Sequence, residues 1–407
     1  MTSSARAPVW LMGLTNAVFG MYAGVVVISM PQLLSARHVP EATIAAMTAV
    51  MLSPGFWAFL ASPVLDVRFS RRSYALVTAL SAAALLMCAL LNLDNLLLVE
   101  VLMMAGFFMA NLYQSALGGW LATITTAETE NKLSAWVTIG NLGGGGVMAV
   151  LTGELMRSQA PARAALLLAV AILLPTVIFP WMPAPGPDRR LARESFPLFF
   201  GEVVGLLKRR DVLVAILLFI SPAAAFSLTN LLSGLGRDFH ASTRFVGLVG
   251  GAGVVVGGIC GCLSFRFIDH LLPKRLLYLA IGMVGAILTL MLLALSHTPV
   301  TFAAALIGEN AFQALAFTAS TAIAFETIGR NNPLAATTYC LMISVSNIPI
   351  TYMLFVDSWG YARGGIAGSL AVDAVVSLLA AAVLAAFLVR FGRRTTRGEP
   401  VRAAAPD

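Results

Sequence analysis

Twelve apolar runs follow one another along the 407 residues, most of them longer than the roughly 20 residues a helix needs to cross a bilayer. They cover Val9–Met30, Thr43–Leu65, Ser73–Leu91, Leu96–Ile124, Leu133–Leu155 and Ala164–Met182. The second six are Val212–Gly236, Arg244–Ile268, Leu276–Ser296, Val300–Ile328, Leu334–Val356 and Gly364–Phe391. A chain with 59% hydrophobic and 11% charged residues would aggregate in water, so lipid is its solvent. The first run has no small-residue cleavage site and is expected to stay as a helix, not to leave as a signal peptide. The expected fold is an all-α integral membrane protein with twelve transmembrane helices.

The loops repeat as well as the runs. Asp66-Val67-Arg68-Phe69-Ser70-Arg71-Arg72 stands between the second and third runs. Asp269-His270-Leu271-Leu272-Pro273-Lys274-Arg275 stands between the eighth and ninth. In both, bases follow the acid at the fifth and sixth positions, and a Tyr follows soon after (Tyr74, Tyr278). His38-Val39-Pro40 before the second run resembles His240-Ala241-Ser242 before the eighth. Thr138 precedes Asn141 by three in the fifth run, as Ser344 precedes Asn347 in the eleventh. The second half restates the first in parallel. The expected organisation is a six-helix bundle over residues 1–182, a linker over 183–211, a second bundle over 212–394 and a disordered tail over 395–407.

Charge sets the expected orientation. With the N-terminus inside, twenty of the 26 Lys and Arg fall on the inner side. The net charge of +7 is therefore a topology signal and an affinity for lipid headgroups, and it does not call for nucleic acid. The linker opens with Pro183, Pro185 and Pro187 and ends in Lys208-Arg209-Arg210; Ser195 and Pro197 between them can start a helix lying on the inner surface, or the stretch is a plain solvated linker. The four Cys fall inside apolar runs and read as packing residues. The four His are scattered over loops, with no metal-ligand spacing. No metal or cofactor is expected, and an integral-membrane transferase has no residue cluster to work with.

Two parallel bundles of six, with an Asp-then-basic inner loop at Asp66, resemble the major facilitator superfamily. Ser62-Pro63-Val64-Leu65-Asp66 with Arg71-Arg72-Ser73-Tyr74, and Phe239-His240-Ala241-Ser242 leading to Val246-Gly247-Leu248, resemble its muropeptide permease and acetyl-CoA transporter branch, which includes siderophore permeases. That resemblance implies a cavity lined by spans one, four, seven and ten. Asn16, Asn111, Gln114, Ser227, Asn230, Asn310 and Gln313 would then face the substrate. It also implies that spans five and eight meet across the halves, where both are rich in glycine.

Charge inside the bilayer costs several kcal/mol per group (roughly 2.5–3.5 on the mildest scale) and so asks for a role. Glu309 stands near the middle of the tenth run and is the first choice for a proton-coupling carboxylate. Glu100 and Asp373 are the further candidates, with Asp373 also readable as a capped structural acid. Glu154, Glu326 and Asp357 sit near run ends and read as interfacial. Asp66, Arg71, Arg72, Asp269, Lys274 and Arg275 are expected to form a cytoplasmic gate, with Glu128, Glu130 and Glu326 as partners.

The expected function is a secondary transporter using alternating access, a proton-coupled importer of a siderophore-like or peptidoglycan-fragment-like solute. A proton-driven exporter is the alternative. The expected setting is a bacterial inner membrane with both termini cytoplasmic; the expected partners are a small-molecule substrate, protons and lipids, and the chain is expected to act as a monomer.

Overall fold

A computed structural model describes residues 7–67, 69–184, 201, 204–232, 235–330 and 332–395. Arg68, the side chain of Asn230, the surface-helix expectation at Ser195 and the tail from 396 lie outside the described residues.

Ten helices among the described residues are long and apolar enough to cross a membrane. The first six are Val9–Ser35, Glu41–Leu60, Arg71–Leu91, Leu96–Ile124, Glu130–Ser158 and Pro161–Trp181. Arg244–Ile268, Lys274–Leu292 and Pro299–Ile328 supply the eighth, ninth and tenth crossings. The last helix, Ala335–Thr395, has 61 residues, about three times the length a bilayer needs. It doubles back at Gly364 and Gly365, whose φ of 58° at Gly365 is open to glycine at little cost. Its two arms, 335–363 and 366–395, are the eleventh and twelfth spans, and the backbones of Gly360 and Gly368 touch across the turn.

The seventh crossing departs from the continuous helix expected over Val212–Gly236. It runs as Arg210–Ile220, a single tight turn Pro222–Ala224, and Leu228–Leu232. Pro222 lacks the N–H that would continue the ladder, and Phe226 takes a left-handed φ of 49°. A broken helix inside a membrane needs other donors for its freed carbonyls. Gln313 of the tenth span reaches the Phe226 carbonyl at 3.2 Å, Ser377 of the twelfth reaches Pro222 at 3.1 Å, and the Tyr352 hydroxyl of the eleventh reaches Ile220 at 2.8 Å.

Local sequence sets the helix starts. Ser70, Asn95, Ser242 and Thr298 each accept from the backbone N–H three residues on. The repeat is visible in the backbone: His38 and His240 both take left-handed φ, 61° and 55°, just before the second and eighth spans. Large apolar side chains such as Val150, Val300 and Phe355 stand outward on the helical surface, the arrangement that lipid solvates.

The glycines of the eighth span divide between two partners. Gly258 lies against Leu142 of the fifth span, and Gly146 of the fifth lies against Val255 of the eighth. Gly257 and Gly261, however, face Ile307 and Ala311 of the tenth span. Gly253, Gly257 and Gly261, spaced four apart, thus pack the eighth span tightly on the tenth, and Gly258 beside them belongs to the seam between spans five and eight.

Candidate transport site

The loops at Asp66 and Asp269 lie on one face of the molecule, here termed the basic face. Asp66, fully buried, meets Arg71 at 2.9 Å. It also accepts from the first turn of the eleventh span: Ala336 N–H at 3.1 Å, Thr337 N–H at 2.8 Å and the Thr337 hydroxyl at 2.7 Å. An anion there is favoured by the unpaired N–H groups of a helix start. Arg71 donates onward to the Pro333 carbonyl at 2.9 Å.

The second copy of the loop makes the matching contact in a wetter form. Asp269 accepts from Asn131, in the first turn of the fifth span, at 2.9 Å. Lys274 pairs with Glu130 at 2.8 Å and with Glu326 at 3.2 Å. Arg72 lies half-buried one residue along from Arg71, and the buried Nε of Arg275 has no partner among the described residues. Each Asp loop therefore lands on a helix start contributed by the other set of six spans. Arg330 adds a further bond to the Thr125 carbonyl at 2.8 Å.

These contacts share a level. Among the described residues, every hydrogen bond and ion pair joining spans one to six with spans seven to twelve lies between mid-membrane and the basic face. The one deepest in the membrane is Asn347 Nδ2 to the Gly55 carbonyl at 3.3 Å. Among the described residues, hydrogen bonds and ion pairs thus tie the two sets of spans together on the basic face and none does so on the opposite one.

Just above this closure lies a polar cavity of about 80 Å³. Asn16, Gln114, Asn141, Ser320 and Asn347 supply its polar wall, with Phe19, Phe317 and Tyr339 as apolar surfaces. Its lining residues include no Asp, Glu, Lys, Arg or His. Asn16 sits at a break in the first span and donates to the Val137 carbonyl at 3.1 Å. Gln114 and Asn141 make no side-chain hydrogen bond among the described residues.

The acids gather elsewhere, behind the broken seventh span. Ser227 donates to Asp357 at 2.5 Å and lies 3.3 Å from Asp373. Thr289 of the ninth span donates to Glu309 at 2.5 Å. All three acids are at least nine-tenths buried. One oxygen of Glu309, one of Asp357 and the Ser369 hydroxyl have no partner among the described residues. No Lys, Arg or His pairs with any of the three acids there. A cavity of about 10 Å³, room for one water, touches Asp373, Thr289 and Ser377. It shares Ala224 and Ala225 with another small cavity, which shares Phe317, Ser320 and Ser346 with the polar floor.

The residues singled out in the sequence thus separate. Glu309 and Asp373 fall in one cluster with Asp357; Ser227, which was expected on the substrate, joins Asp357 and Asp373. Asn16 and Gln114 reach the cavity. Gln313 holds the broken seventh span, and the amides of Asn111 and Asn310 donate to Phe107 and Leu306 of their own helices. Glu100 is half-exposed in the first turns of the fourth span. Asp357 is not interfacial: the eleventh span runs on past Val356 to Gly364 and carries Asp357 into the interior, fully buried. Glu154 pairs with Arg157 on the surface. Asn141 and Asn347 were visible only as repeated positions.

The sequence model of the Major Facilitator Superfamily matches residues 12–346. The chain belongs to the major facilitator superfamily. No curated protein sequence matches it. Its fold is similar to that of the proton:xylose symporter XylE (13% identity, 94% of this chain and 95% of that one, TM-score 0.67). It is likewise similar to the E. coli fucose:proton symporter FucP (15%, 94% and 99%, 0.67). A bacterial homologue of the iron transporter ferroportin in an outward-facing state is similar too (16%, 95% and 99%, 0.63). The superfamily fold, a multi-pass bundle that carries small molecules across membranes, accounts for a closure on one face and a cavity at the centre.

Proposed function

We propose that the chain is a proton-coupled importer, in which Glu309, Asp357 and Asp373 form the proton site and the neutral floor receives the solute. The carrying observation is three buried carboxyls with no cation partner among the described residues. Bare carboxylates are costly in a dry interior, and protons neutralise them without a counter-ion. The water-sized spaces between the cluster and the floor offer the proton a way in. The two symporters of similar fold, one of xylose and one of fucose, support proton coupling. The basic face is then cytoplasmic, both termini lie inside a bacterial plasma membrane, and the two bundles 1–182 and 212–394 rock about the linker as a monomer bathed in lipid. Asp66 with Arg71, and Asp269 with Lys274, form the cytoplasmic gate; Arg72 and Arg275 flank it. The chain is read as a transporter and not an enzyme.

The test is uptake into proteoliposomes under an imposed pH gradient, over siderophores, muropeptides and monosaccharides, comparing wild type with Glu309→Gln and Asp357→Asn. Inward proton-driven accumulation in wild type alone is expected. Accumulation only under a reversed gradient would make the chain an exporter.

A further inference from the structure

The floor of the cavity differs in kind from the site that holds the acids. It offers amide groups and aromatic faces, and no charge of either sign. We propose that this floor binds an uncharged solute rich in hydroxyl or amide groups, gripped between Asn141 of the fifth span and Asn347 of the eleventh. The inference rests on the transporter reading and names the class of its cargo.

An amide side chain offers both donors and an acceptor. Asn141 and Gln114 have both unspent among the described residues. Asn16 and Asn347 each spend a donor, on Val137 and Gly55, and keep their carbonyl oxygens. Such a wall can exchange a solute's water-directed hydrogen bonds nearly one for one, which costs little. A carboxylate, phosphate or ammonium brought to the same place would shed its hydration with no counter-charge to meet it. Phe317 and Tyr339 supply flat apolar surfaces for the carbon faces of a ring.

The two Asn stand at equivalent places in the repeat, each three residues after a hydroxyl residue, Thr138 and Ser344. One belongs to each half, so a solute bonded to both ties the halves together at the floor. The volume there, about 80 Å³, is roughly half the ~150 Å³ of an engineered cavity that holds benzene. At that volume the floor takes one edge of a ring, and the rest of the solute extends away from the basic face. The sugar end of a peptidoglycan fragment meets these terms; an anionic siderophore or a peptide stem does not.

Thermal-shift titration of the full chain in detergent tests this without any gradient, so a failure of proton coupling leaves the result untouched. The probes are D-glucose, D-xylose, myo-inositol and N-acetylglucosamine, against citrate, glutamate and putrescine. At least one neutral probe is expected to raise the wild-type melting temperature, and no charged one. Asn141→Leu and Asn347→Leu are each expected to weaken that probe about tenfold, the equivalent of one to two net hydrogen bonds. Asn141→Ser and Asn347→Ser serve where the Leu variants do not fold. Stabilisation by charged probes alone, by none of the neutral ones, or by a neutral one that both substitutions leave unchanged, would overturn the proposal.

Discussion

Asp66 and Thr337 lie 271 positions apart in sequence and are joined by two hydrogen bonds, at 2.8 Å to the backbone N–H and 2.7 Å to the hydroxyl. One carboxylate thereby ties the end of the second span to the start of the eleventh. It also neutralises Arg71, whose side chain is almost wholly buried. Asp66→Asn leaves that guanidinium without its charge partner, a change that typically costs about 3–5 kcal/mol in a buried pair. The cost falls on the closed state, since opening lets water reach Arg71. Cysteine labelling from the basic face is expected to rise in the variant and transport to fall, with membrane abundance unchanged. Equal loss of abundance and transport would mean that Asp66 serves folding and not gating.

Gly119 tests the same closure without touching charge. A Cβ built there would lie 2.5 Å from the Ala336 backbone nitrogen. Gly119→Val is expected to hold the fourth and eleventh spans apart and to raise the same labelling signal. Unchanged labelling would show that the helices can shift to accept the side chain.

Glu309→Gln and Asp357→Asn each remove one ionisable group from the acid cluster while keeping its size. Both are expected to abolish accumulation driven by a pH gradient and to retain exchange of labelled for unlabelled solute. Loss of exchange in both would move the acids from coupling to solute binding.

Gln313→Leu removes one donor to the Phe226 carbonyl, which keeps the Thr229 hydroxyl at 3.0 Å, and removes the donor to that hydroxyl's oxygen. Losing one such hydrogen bond typically costs about 0.5–1.5 kcal/mol. A lower melting temperature is expected, with Gln313→Glu a weaker rescue because an ionised carboxylate cannot donate. A variant as stable as wild type would show that water satisfies the break.

Periodicity and hydropathy reveal where a chain enters and leaves lipid, and so the twelve crossings and the doubled Asp loop were legible. Asp66 with Arg71, and Lys274 with Glu130, follow from residue type and position on one face. Hydropathy is blind to what happens inside a run. Val212–Gly236 is predominantly apolar and carries no charge, yet Ser221-Pro222 breaks it, and that one break redirects Ser227 from the cavity to the acids. Asp357 was misplaced for a related reason: the run was ended at Val356, where the apolar residues thin, and not at Gly364, where the backbone turns. Asn141 and Asn347 carried a signal in their repeat spacing, but a repeat does not say which face of a helix looks inward.

The distance between the uncharged floor and the three acids has a bearing on how such a chain changes over generations. On the proposed reading, substitutions at Asn16, Gln114, Asn141 or Asn347 alter what is recognised while the residues proposed to draw on the gradient stay as they are. A lineage built this way can try new cargoes without re-inventing its energy supply, one side chain at a time.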